Sequence, residues 1–507
     1  MGHHHFIGIG GAGMSSLARV LLDRGEPVSG SDLYDSEVLQ HLREAGAIIY
    51  VGHRAEQVHG ADEVVISTAI PADNPELLEA RRLGLRVVHR SDLLARLVNQ
   101  GHSVAVTGAH GKTTTTSMIT VALRQAGLRV EGVIGGQIQG ERWPICTPGR
   151  DGRARSGESV RPPAEPELAA TGSATARRWV SLPDEHWVVA EADESDSSFL
   201  RYYPTVTVIT NIEPDHLEHY GGDFTRLVAA YRQFLGQVKP EGVGVVGVDS
   251  PTLRQLTADW PRPLVTYGLD VPAEWSADRI QLEGGRARAQ LLHQGKPVGE
   301  LQLRIPGRHN VSNALAALAV VHWLGLDLEP ACAALAMFRG ARRRFETVGE
   351  TGGIRVIDDY AHHPSEIAAT IAAARTGHPG RLWAVFQPHR YARTHYLLDQ
   401  FPAAFRQADE IVMTQVYSPP PEEPWPDVDG AVLARKVEQE LQRPVHYLPT
   451  LDEVVEYVCS HARSGDLILC MGAGDITVAA RQIGRRIEGS TVTPGSSLAS
   501  SQESGRP

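Results

Sequence analysis

The feature that most constrains the fold of this chain is an apolar segment that runs directly into a glycine-rich turn and then into a helix. It occurs twice, in FIGIGGAGMSSLA from Phe6 and in VAVTGAHGKTTTTSM from Val104. Around both segments, strand-like runs alternate with helix-like stretches over most of the sequence. Because alternating strands and helices build parallel sheets with crossover helices, the predicted fold class is α/β.

The chain of 507 residues is longer than one hydrophobic core usually holds. At about 100–200 residues per domain it should form two or three domains, and three is the better estimate. A polar link that ends in glycine, residues 98–101, precedes the second glycine-rich segment, and FRGARRRFE leads into a new strand, IRVIDDY. Two segments, 147–177 and 489–507, hold too few large apolar residues to bury surface and are predicted to be disordered. The predicted domains are 1–99, 100–338 and 339–488.

Composition excludes several classes of function. The formal charge is −11, from 49 basic and 60 acidic residues, which provides no broad basic surface for a nucleic acid. Apolar runs stop well short of the roughly 18 residues that a membrane span requires, and we expect no export signal. We therefore expect a cytoplasmic protein that binds neither nucleic acid nor membrane. The four cysteines lack the spacing of a zinc site or a disulfide framework: Cys146, Cys332, Cys459 and Cys470.

The second glycine-rich segment predicts an ATP site. Glycines Gly108 and Gly111 let backbone N–H groups close around phosphate oxygens, Lys112 neutralises phosphate charge, and a threonine hydroxyl can reach Mg²⁺. The spacing departs from the usual P-loop, because Val106 stands where the first glycine would be. The alternative is a glycine-rich turn that binds no ligand.

Two further strand ends carry side chains that suit Mg²⁺. WVVAEADESD offers Glu191, Asp193, Glu194 and Asp196, and VTVITNIEPDHLEHYG offers Asn211, Glu213, Asp215 and His216. Ligands collect at the carboxyl ends of parallel strands, so both clusters should face the phosphate loop. Glu191 and His216 are the first choices, because each comes at or just after its strand. The alternative for either cluster alone is a helix cap or a solvated loop.

Four later segments also concentrate polar side chains. GRHNVSNALAA places His309, Asn310 and Asn313 at a helix start as candidate binding residues; the alternative is that the asparagines only cap the helix. RRRFE from Arg342 supplies three guanidinium groups, one of which could hold a phosphate; the alternative is a solvated linker. Two further segments are IDDYAHHPSE and FQPHRYART, and the arginines of FQPHRYART suit a substrate with a carboxylate. The alternative for these two segments is a helix cap with surface arginines. These last segments follow two strands and hold Asp358, Asp359, Tyr360, His362 and His363, then His389, Arg390 and Arg393.

The first glycine-rich segment has the spacing of a dinucleotide-binding turn. Gly8, Gly10 and Gly13 spell G-x-G-x-x-G, and Asp32 stands about 20 residues further on, where a ribose-binding acid belongs. These residues predict a Rossmann-like fold and a bound diphosphate. An NAD-dependent oxidoreductase would satisfy this motif but would leave the phosphate loop unexplained.

Taken in order, eight segments resemble the Mur ligase family, and the resemblance covers residues 4 to about 487. It is specifically similar to the branch that adds L-alanine to UDP-N-acetylmuramate in peptidoglycan precursor synthesis. The resemblance implies a Rossmann-like UDP-sugar domain, a central P-loop ATPase-type domain and a C-terminal Rossmann-like amino-acid domain. The segments are GIGGAGMSSLA, TGAHGKTTTT, EADESD, NIEPDHLEHYG, GRHNVSNALAA, RRFE, DDYAHHPSE and FQPHRYART.

The resemblance also implies the reaction. ATP phosphorylates the lactyl carboxylate of UDP-N-acetylmuramate, and the amine of L-alanine attacks the resulting acyl phosphate, releasing ADP and phosphate. Lys112, Mg²⁺ and an arginine would reduce the repulsion between the two anions that must approach each other. A monomer or weak homodimer is expected.

The resemblance assigns roles to individual residues. Lys112, Glu191, His216 and Arg344 are the implied catalytic residues, and Asn310 and Asp359 are the positions implied for adenine and ribose. The implied ATP-binding residues are Gly108, Ala109, His110, Gly111, Lys112, Thr113, Thr114, Asn310, Arg344 and Asp359. The implied metal ligands are Thr113, Glu191 and His216. The implied UDP-sugar residues are Gly8, Gly10, Gly11, Gly13, Asp32 and Ser67, and the implied amino-acid residues are Tyr360, His362, Arg390 and Arg393.

Some features depart from the family pattern. No lysine follows NIEPDHLEHYG, where much of the family uses a carbamylated lysine near a second metal, and segment 147–177 is longer than expected. VYSPPPEEP replaces a stretch that more often carries small residues, which leaves Glu422 and Glu423 without an assigned role. A rival within the family is the recycling ligase that attaches a ready-made tripeptide to the same UDP-sugar.

Overall fold

The structure is a computed structural model that describes residues 2–139, 186–195, 197–419 and 422–490. It contains three β-sheets that follow one another along the chain, which confirms the predicted α/β class. Contacts divide the chain into two compact units, Met1–Arg342 and Arg343–Pro507. Segment 147–177, predicted to be disordered, lies outside the described residues. The last helix continues through Ser490, so the first two residues of the predicted tail 489–507 are helical, and the rest of that tail lies outside the described residues.

The first sheet of the unit Met1–Arg342 is parallel throughout. Its strands are β1 (His4–Ile7), β2 (Val28–Asp32), β3 (Ile48–Val51), β4 (Glu63–Ile66) and β5 (Arg86–His89). Its helices are α1 (Ala12–Asp23), α2 (Glu37–Glu44), α3 (Pro75–Arg82) and α4 (Arg90–Gln100). The strand order is β3-β2-β1-β4-β5, so the order reverses beside β1. This reversal creates a crevice at the carboxyl end of β1, where the first glycine-rich turn lies.

Histidines that open the chain are part of this first sheet. His4 is buried in β1, and its ring hydrogen-bonds Glu63 at 3.2 Å and Glu26 at 2.9 Å. Arg96 donates two hydrogen bonds to the same Glu63 carboxylate, at 2.9 and 3.2 Å. Burial alone would raise the pKa of Glu63, but His4 and Arg96 outweigh it and lower the pKa to about 2. The carboxylate therefore stabilises the fold only while it is ionised.

We predict that Glu63→Gln lowers the thermal stability of the protein in a pH-dependent way. An unfolded glutamate titrates near its ordinary pKa of 4.5, so the stabilisation is complete above that pH and falls as the pH drops toward 2. The melting temperatures of wild type and variant should differ at neutral pH and converge as the pH falls from 4.5 toward 2. Calorimetry across this range measures the gap, with Glu300→Gln on an exposed surface as the control. A gap independent of pH would contradict the assignment.

The second sheet of the same unit is larger and mixed. Its strands are β6 (His102–Thr107), β7 (Arg129–Val133), β8 (His186–Glu191), β9 (Val206–Ile209), β10 (Val243–Gly247), β11 (Leu264–Tyr267), β12 (Trp275–Glu283), β13 (Arg286–His293) and β14 (Lys296–Leu303). Their order is β14-β13-β12-β11-β10-β9-β6-β8-β7, parallel from β7 to β12 and antiparallel beyond. Central strand β6 therefore lies between β8 and β9, and every residue from Ser103 to Thr107 is buried.

In the part of this unit that the structure describes, five α-helices accompany the second sheet: α5 (Lys112–Gln125), α6 (Phe224–Gly236), α7 (Pro251–Thr257), α8 (Arg308–Trp323) and α9 (Leu328–Met337). Helix α8 is apolar on nearly all sides and is buried from Val311 to Val321 apart from one partly exposed residue, Ser312. It packs against α5, so the segment GRHNVSNALAA is held beside the phosphate loop. Backbone contacts of Gly340 and Ala341 with residues 138 and 139 keep the chain in this unit up to Arg342, past the predicted boundary at 338.

The unit Arg343–Pro507 is built on the third sheet. Its strands are β15 (Glu346–Thr351), β16 (Ile354–Asp359), β17 (Leu382–Phe386), β18 (Glu410–Met413), β19 (His446–Tyr447) and β20 (Leu467–Met471). Only β15 is antiparallel in the order β15-β16-β20-β17-β18-β19. Its helices are α10 (Pro364–Gly377), α11 (Tyr391–Tyr396), α12 (Phe401–Ala404), α13 (Gly430–Leu441), α14 (Leu451–His461) and α15 (Ile476–Ser490). Helix α10 has a capping box of His363 and Glu366, so the capping alternative holds for His363.

Candidate active site

Strand register brings the phosphate loop and both acidic segments to one edge of the second sheet. Val106 in β6 pairs with Glu191 in β8, and Thr107 pairs with Ile209 in β9. The residues that follow these strands must therefore lie side by side, because all three strands are parallel. The structure confirms that the two polar strand ends meet the glycine loop.

The loop after β6 depends on two glycines. Gly108 has a φ of +134°, and a Cβ there would overlap the hydroxyl of Thr210. Gly111 has a φ of +82°, and a Cβ there would lie 2.8 Å from the side-chain oxygen of Asn313. The loop is also fixed from β9, since the Asn211 side chain accepts a hydrogen bond from the His110 N–H at 2.9 Å. Only glycine permits this backbone path beside such close neighbours.

Three helices of the first unit differ from the others in how they begin. Helices α1, α5 and α8 start after Gly11, Gly111 and Gly307, and no side chain in the described residues caps them. The other helices of this unit have side-chain caps, at Ser36, Asn74, His89, Asp223, Ser250 and Asp327. Uncapped N–H groups and the helix dipole favour an anion, and α1 and α5 carry the two motifs predicted to bind phosphates.

Lys112 lies at the centre of the charged groups on this edge. Its Nζ donates hydrogen bonds to the Glu194 carboxylate at 2.7 Å and to the Gly108 carbonyl at 2.6 Å. Burial lowers the pKa of Lys112, but the charges of Glu194 and Asp193 outweigh it, so the pKa stands above its ordinary value. The ammonium is therefore positively charged at neutral pH and is held within the glycine loop.

Thr113 and Glu191, two of the three implied metal ligands, lie in contact. The Thr113 hydroxyl donates to one Glu191 oxygen at 3.2 Å, and the Gly135 N–H donates to the other at 2.7 Å. His216 has a φ of +54°. Burial raises the pKa of Asp193, but Lys112 and, to a smaller extent, His216 lower it below its ordinary value, which places His216 near the same charged group. These contacts contradict the helix-cap alternative for Glu191. Asp196, from the same segment, lies outside the described residues.

We predict that Gly111→Ala abolishes nucleotide binding, whereas Gly127→Ala does not. Both glycines have a positive φ, +82° and +98°, so both substitutions strain the backbone by about 1 kcal/mol or more. A Cβ at Gly111 would also meet Asn313, whereas a Cβ at Gly127 meets open space. Calorimetric titration with ADP, with melting temperatures for both variants, separates lost binding from lost stability. Unchanged ADP affinity in Gly111→Ala would contradict the role of this loop.

The asparagines of α8 do not cap their helix. Asn310 lies within the first turn, is buried, and donates its amide to the Pro306 carbonyl at 2.6 Å. Asn313 donates to the Asn310 side chain at 3.3 Å and approaches Gly111 with its own side-chain oxygen. The capping alternative is therefore wrong, because the amides bond to each other and to the preceding loop. The structure places Asn313 nearer the phosphate loop than the sequence suggests, and His309 is exposed.

The first glycine-rich turn lies at the crevice beside β1. Gly8 has a φ of +78°, and the Gly10 N–H donates to the Asp32 carboxylate at 2.8 Å. Asp32 also accepts from the Leu33 N–H at 2.8 Å, so it holds the turn to the end of β2. Ser67 follows β4 at the same edge, and its carbonyl accepts from the Ile70 N–H. All six implied UDP-sugar positions thus share one edge of the first sheet.

In the second unit, Arg343 and Arg344 both lie over the Tyr360 ring, at 4.9 and 5.0 Å. Arg343 donates to the carbonyls of Gly472 and Gly474, which contradicts a solvated linker. Arg344 pairs with Glu366 at 3.6 Å. This arrangement leaves Arg343 in a structural position and places Arg344 beside the tyrosine.

Asp359 lies beside this arginine pair at the end of β16. Burial raises the pKa of Asp359 to about 6, although Arg344 opposes the rise. Its oxygens accept hydrogen bonds from the N–H groups of Phe345 at 2.7 Å and Ala361 at 2.8 Å. The carboxylate therefore holds the residue after Tyr360 and the residue after Arg344, and Arg344 lies close enough to Asp359 to affect its pKa.

The implied amino-acid residues are linked through His389. The rings of Tyr360 and His362 are 5.4 Å apart, those of His362 and His389 are 5.9 Å apart, and Arg393 lies 3.1 Å from the His389 ring nitrogen. Arg393 is buried, so the surface-arginine alternative fails for it. Arg390 opens α11 with a φ of +66°, and its N–H donates to the Tyr417 carbonyl at 2.8 Å.

Glu422 lies beside the same short helix. One of its carboxylate oxygens accepts from the Ala392 N–H at 2.9 Å, and the other accepts from the Ser418 hydroxyl. It therefore links Ser418 to the first turn of α11. Glu423 follows it in an exposed position among the described residues.

Several residues of the site were not singled out from the sequence. Thr210 and Gly135 contact the phosphate loop and Glu191, yet nothing in their residue types marks them. Glu194 and Asn211 were candidates among several, and only the strand register selects them. Their position one to three residues beyond a buried strand was the available signal.

Three family models match this chain in order. They are the Mur ligase family catalytic domain at residues 3–102, the Mur ligase middle domain at 106–321 and the Mur ligase glutamate ligase domain at 343–474. The UDP-N-acetylmuramate--L-alanine ligase of Symbiobacterium thermophilum is 44% identical over 509 residues, covering 99% of this chain and 97% of that relative.

Two solved structures are also similar. The UDP-N-acetylmuramate-alanine ligase of Thermotoga maritima has a TM-score of 0.74 and 29% identity, covering 97% of this chain and all of that one. A murein peptide ligase of Psychrobacter arcticus has a TM-score of 0.63 and 25% identity, covering 96% of this chain and 98% of that one. The chain therefore belongs to the Mur ligase family.

No helix among the described residues is long and apolar enough to cross a membrane.

Proposed function

We propose that this chain joins L-alanine to the lactyl carboxylate of UDP-N-acetylmuramate, using ATP and releasing ADP and phosphate. The observation that carries the proposal is the edge of the second sheet where Lys112, Thr113 and Glu191 meet around an uncapped helix N-terminus. The 44% identical relative has this activity in its name. The family match leaves the NAD-dependent oxidoreductase without support.

The loop from Gly108 to Thr114 would bind the ATP phosphates. Its helix N-terminus supplies N–H donors, and Lys112 supplies a positive charge that its carboxylate neighbours hold in place. When ATP enters, the ammonium can exchange Glu194 for phosphate oxygens without leaving the loop. Asn310, Asp359 and Arg344 are proposed for adenine, ribose and phosphate respectively, with Lys112 and Arg344 neutralising charge on the transferring phosphoryl group.

The residues beside the loop fit Mg²⁺. A threonine hydroxyl and a carboxylate, Thr113 and Glu191, already share a hydrogen bond, and hard oxygen donors are what this ion prefers. His216 is the proposed third ligand, from the charged group that contains Asp193. When bound, Mg²⁺ would offset the charge of the phosphates and the carboxylate that must approach each other.

The substrates would bind at the two remaining clusters. The first glycine-rich turn and Asp32 are proposed for the diphosphate and ribose of the UDP-sugar. In the second unit, Tyr360, His362, Arg390 and Arg393 are proposed for L-alanine, whose carboxylate suits a guanidinium. We also propose that the enzyme is cytoplasmic and that it is a monomer or weak homodimer.

We predict that phosphate release from ATP requires UDP-N-acetylmuramate and L-alanine together. Activation of the carboxylate and attack by the amine are sequential, so either substrate alone should give release at background rate. A phosphate-release assay with the substrates added singly and together measures this. Release with the tripeptide L-alanyl-γ-D-glutamyl-meso-diaminopimelate but not with L-alanine would instead identify the recycling ligase.

Lys112→Ala provides the matching variant for the same assay. Turnover should fall at least on the order of a thousandfold, because the positive charge on the phosphates is lost. Lys296→Ala, at an exposed position on the β13–β14 hairpin, should retain wild-type turnover. Retained activity in Lys112→Ala would refute the ATP-site assignment.

We predict that Glu191→Gln raises the Mg²⁺ concentration for half-maximal activity by on the order of tenfold or more. The amide keeps the shape of the side chain but lacks the negative charge that attracts the ion. Turnover measured against Mg²⁺ concentration tests this, and Glu283→Gln on the exposed end of β12 is the control. An unchanged Mg²⁺ dependence would remove Glu191 from the metal site.

A further inference from the structure

Arg90 stands at the edge where the first glycine-rich turn lies, yet no role has been given to it. It is the first residue of α4 and follows directly on β5, whose carboxyl end points to the same edge as that of β1. At this edge, Asp32 ends β2, and Gly10 and Ser67 follow β1 and β4. Arg90 therefore occupies the corresponding position on the fourth of these strands.

The guanidinium of Arg90 packs against the first turn of α1. Its Nη1 lies 3.2 Å from the position that a Cβ on Gly13 would occupy. A Cβ at position 13 would require the guanidinium to shift by a few tenths of an ångström, so glycine permits this close approach. The positive charge thus lies beside the uncapped N-terminus of α1, which is already favourable for an anion.

The only ion pair that Arg90 forms within the described part of the chain is a long one. Its Nη2 is 4.0 Å from Asp193, and the two side chains are 28% and 40% exposed. A pair at this distance and exposure stabilises a fold very little. Neither packing against Gly13 nor this weak ion pair explains why a positive charge is placed here, whereas an anionic ligand would.

We propose that Arg90 binds the diphosphate of the UDP-sugar and is a further substrate-binding residue of this enzyme. The inference rests on the proposed function, because it takes the ligand of the α1 turn to be a nucleoside diphosphate. A guanidinium can offer two parallel N–H groups to phosphate oxygens, which a lysine cannot. The α1 turn would donate its backbone N–H groups to the same diphosphate from the other side.

The experiment compares UDP with uridine as ligands of the full chain by calorimetric or NMR titration, without ATP. Arg90→Ala should weaken UDP binding by tenfold or more and change uridine binding by less than twofold, because uridine lacks the diphosphate. Arg90→Lys should recover only part of the UDP affinity. Arg96→Ala is the matched control, because Arg96 lies on the same helix and pairs with Glu63 instead; both affinities should stay within twofold of wild type.

The outcomes separate this proposal from the proposed function. If wild type binds UDP and Arg90→Ala binds it equally well, Arg90 does not contact the diphosphate. If UDP and uridine binding fall by the same factor, the arginine only supports the fold of the turn, and the proposal fails. If wild type binds neither ligand, the UDP-sugar assignment fails and this inference fails with it. Melting temperatures of all variants identify any loss of folding.

Discussion

The parallel pairing of β6 with β8 and β9 is the constraint on which the candidate active site depends. Because Val106 pairs with Glu191 and Thr107 with Ile209, the chain segments beyond these residues leave the sheet together. The glycine loop, the Glu191 carboxylate proposed for the metal and the residues that hold the loop in place are then neighbours. A slip of one residue in either pairing would reverse which face each side chain points to and would separate Thr113 from Glu191.

This edge also concentrates buried charge, which is costly unless it is paired. Lys112 is held by Glu194 and by two loop carbonyls, so the charge is satisfied before any ligand arrives. Glu191 is similarly held by Thr113 and the Gly135 N–H. The site is therefore organised in advance, and a nucleotide would replace internal partners rather than order a flexible loop.

Much of the fold and part of the site could be predicted from the sequence. Strands such as β6 are buried on both faces, so they are written as continuous apolar runs, and a glycine follows directly. Such a run can be recognised in a short stretch of sequence. The phosphate loop and the choice of Glu191 followed from strand ends, whereas Thr113 was assigned by the resemblance, and its contact with Glu191 came only from the structure. The capping alternative for Asn310 was wrong, because its side-chain amide donates to the loop before the helix and not to the helix itself. Local sequence does not reveal that partner. Arg90 was missed because a lone arginine after a strand resembles any surface residue.

The sequence by itself determined the α/β class, the two strand–turn–helix units and the residue types able to hold phosphate, because these depend on local periodicity and on where glycine interrupts it. Tertiary structure alone decided that Glu194 is the carboxylate bonded to Lys112. It also decided that the Asn313 side chain lies against Gly111 and that Arg90 lies against Gly13. These contacts join residues far apart in the chain. Strand order and register set such distances, and neither is encoded in any short segment.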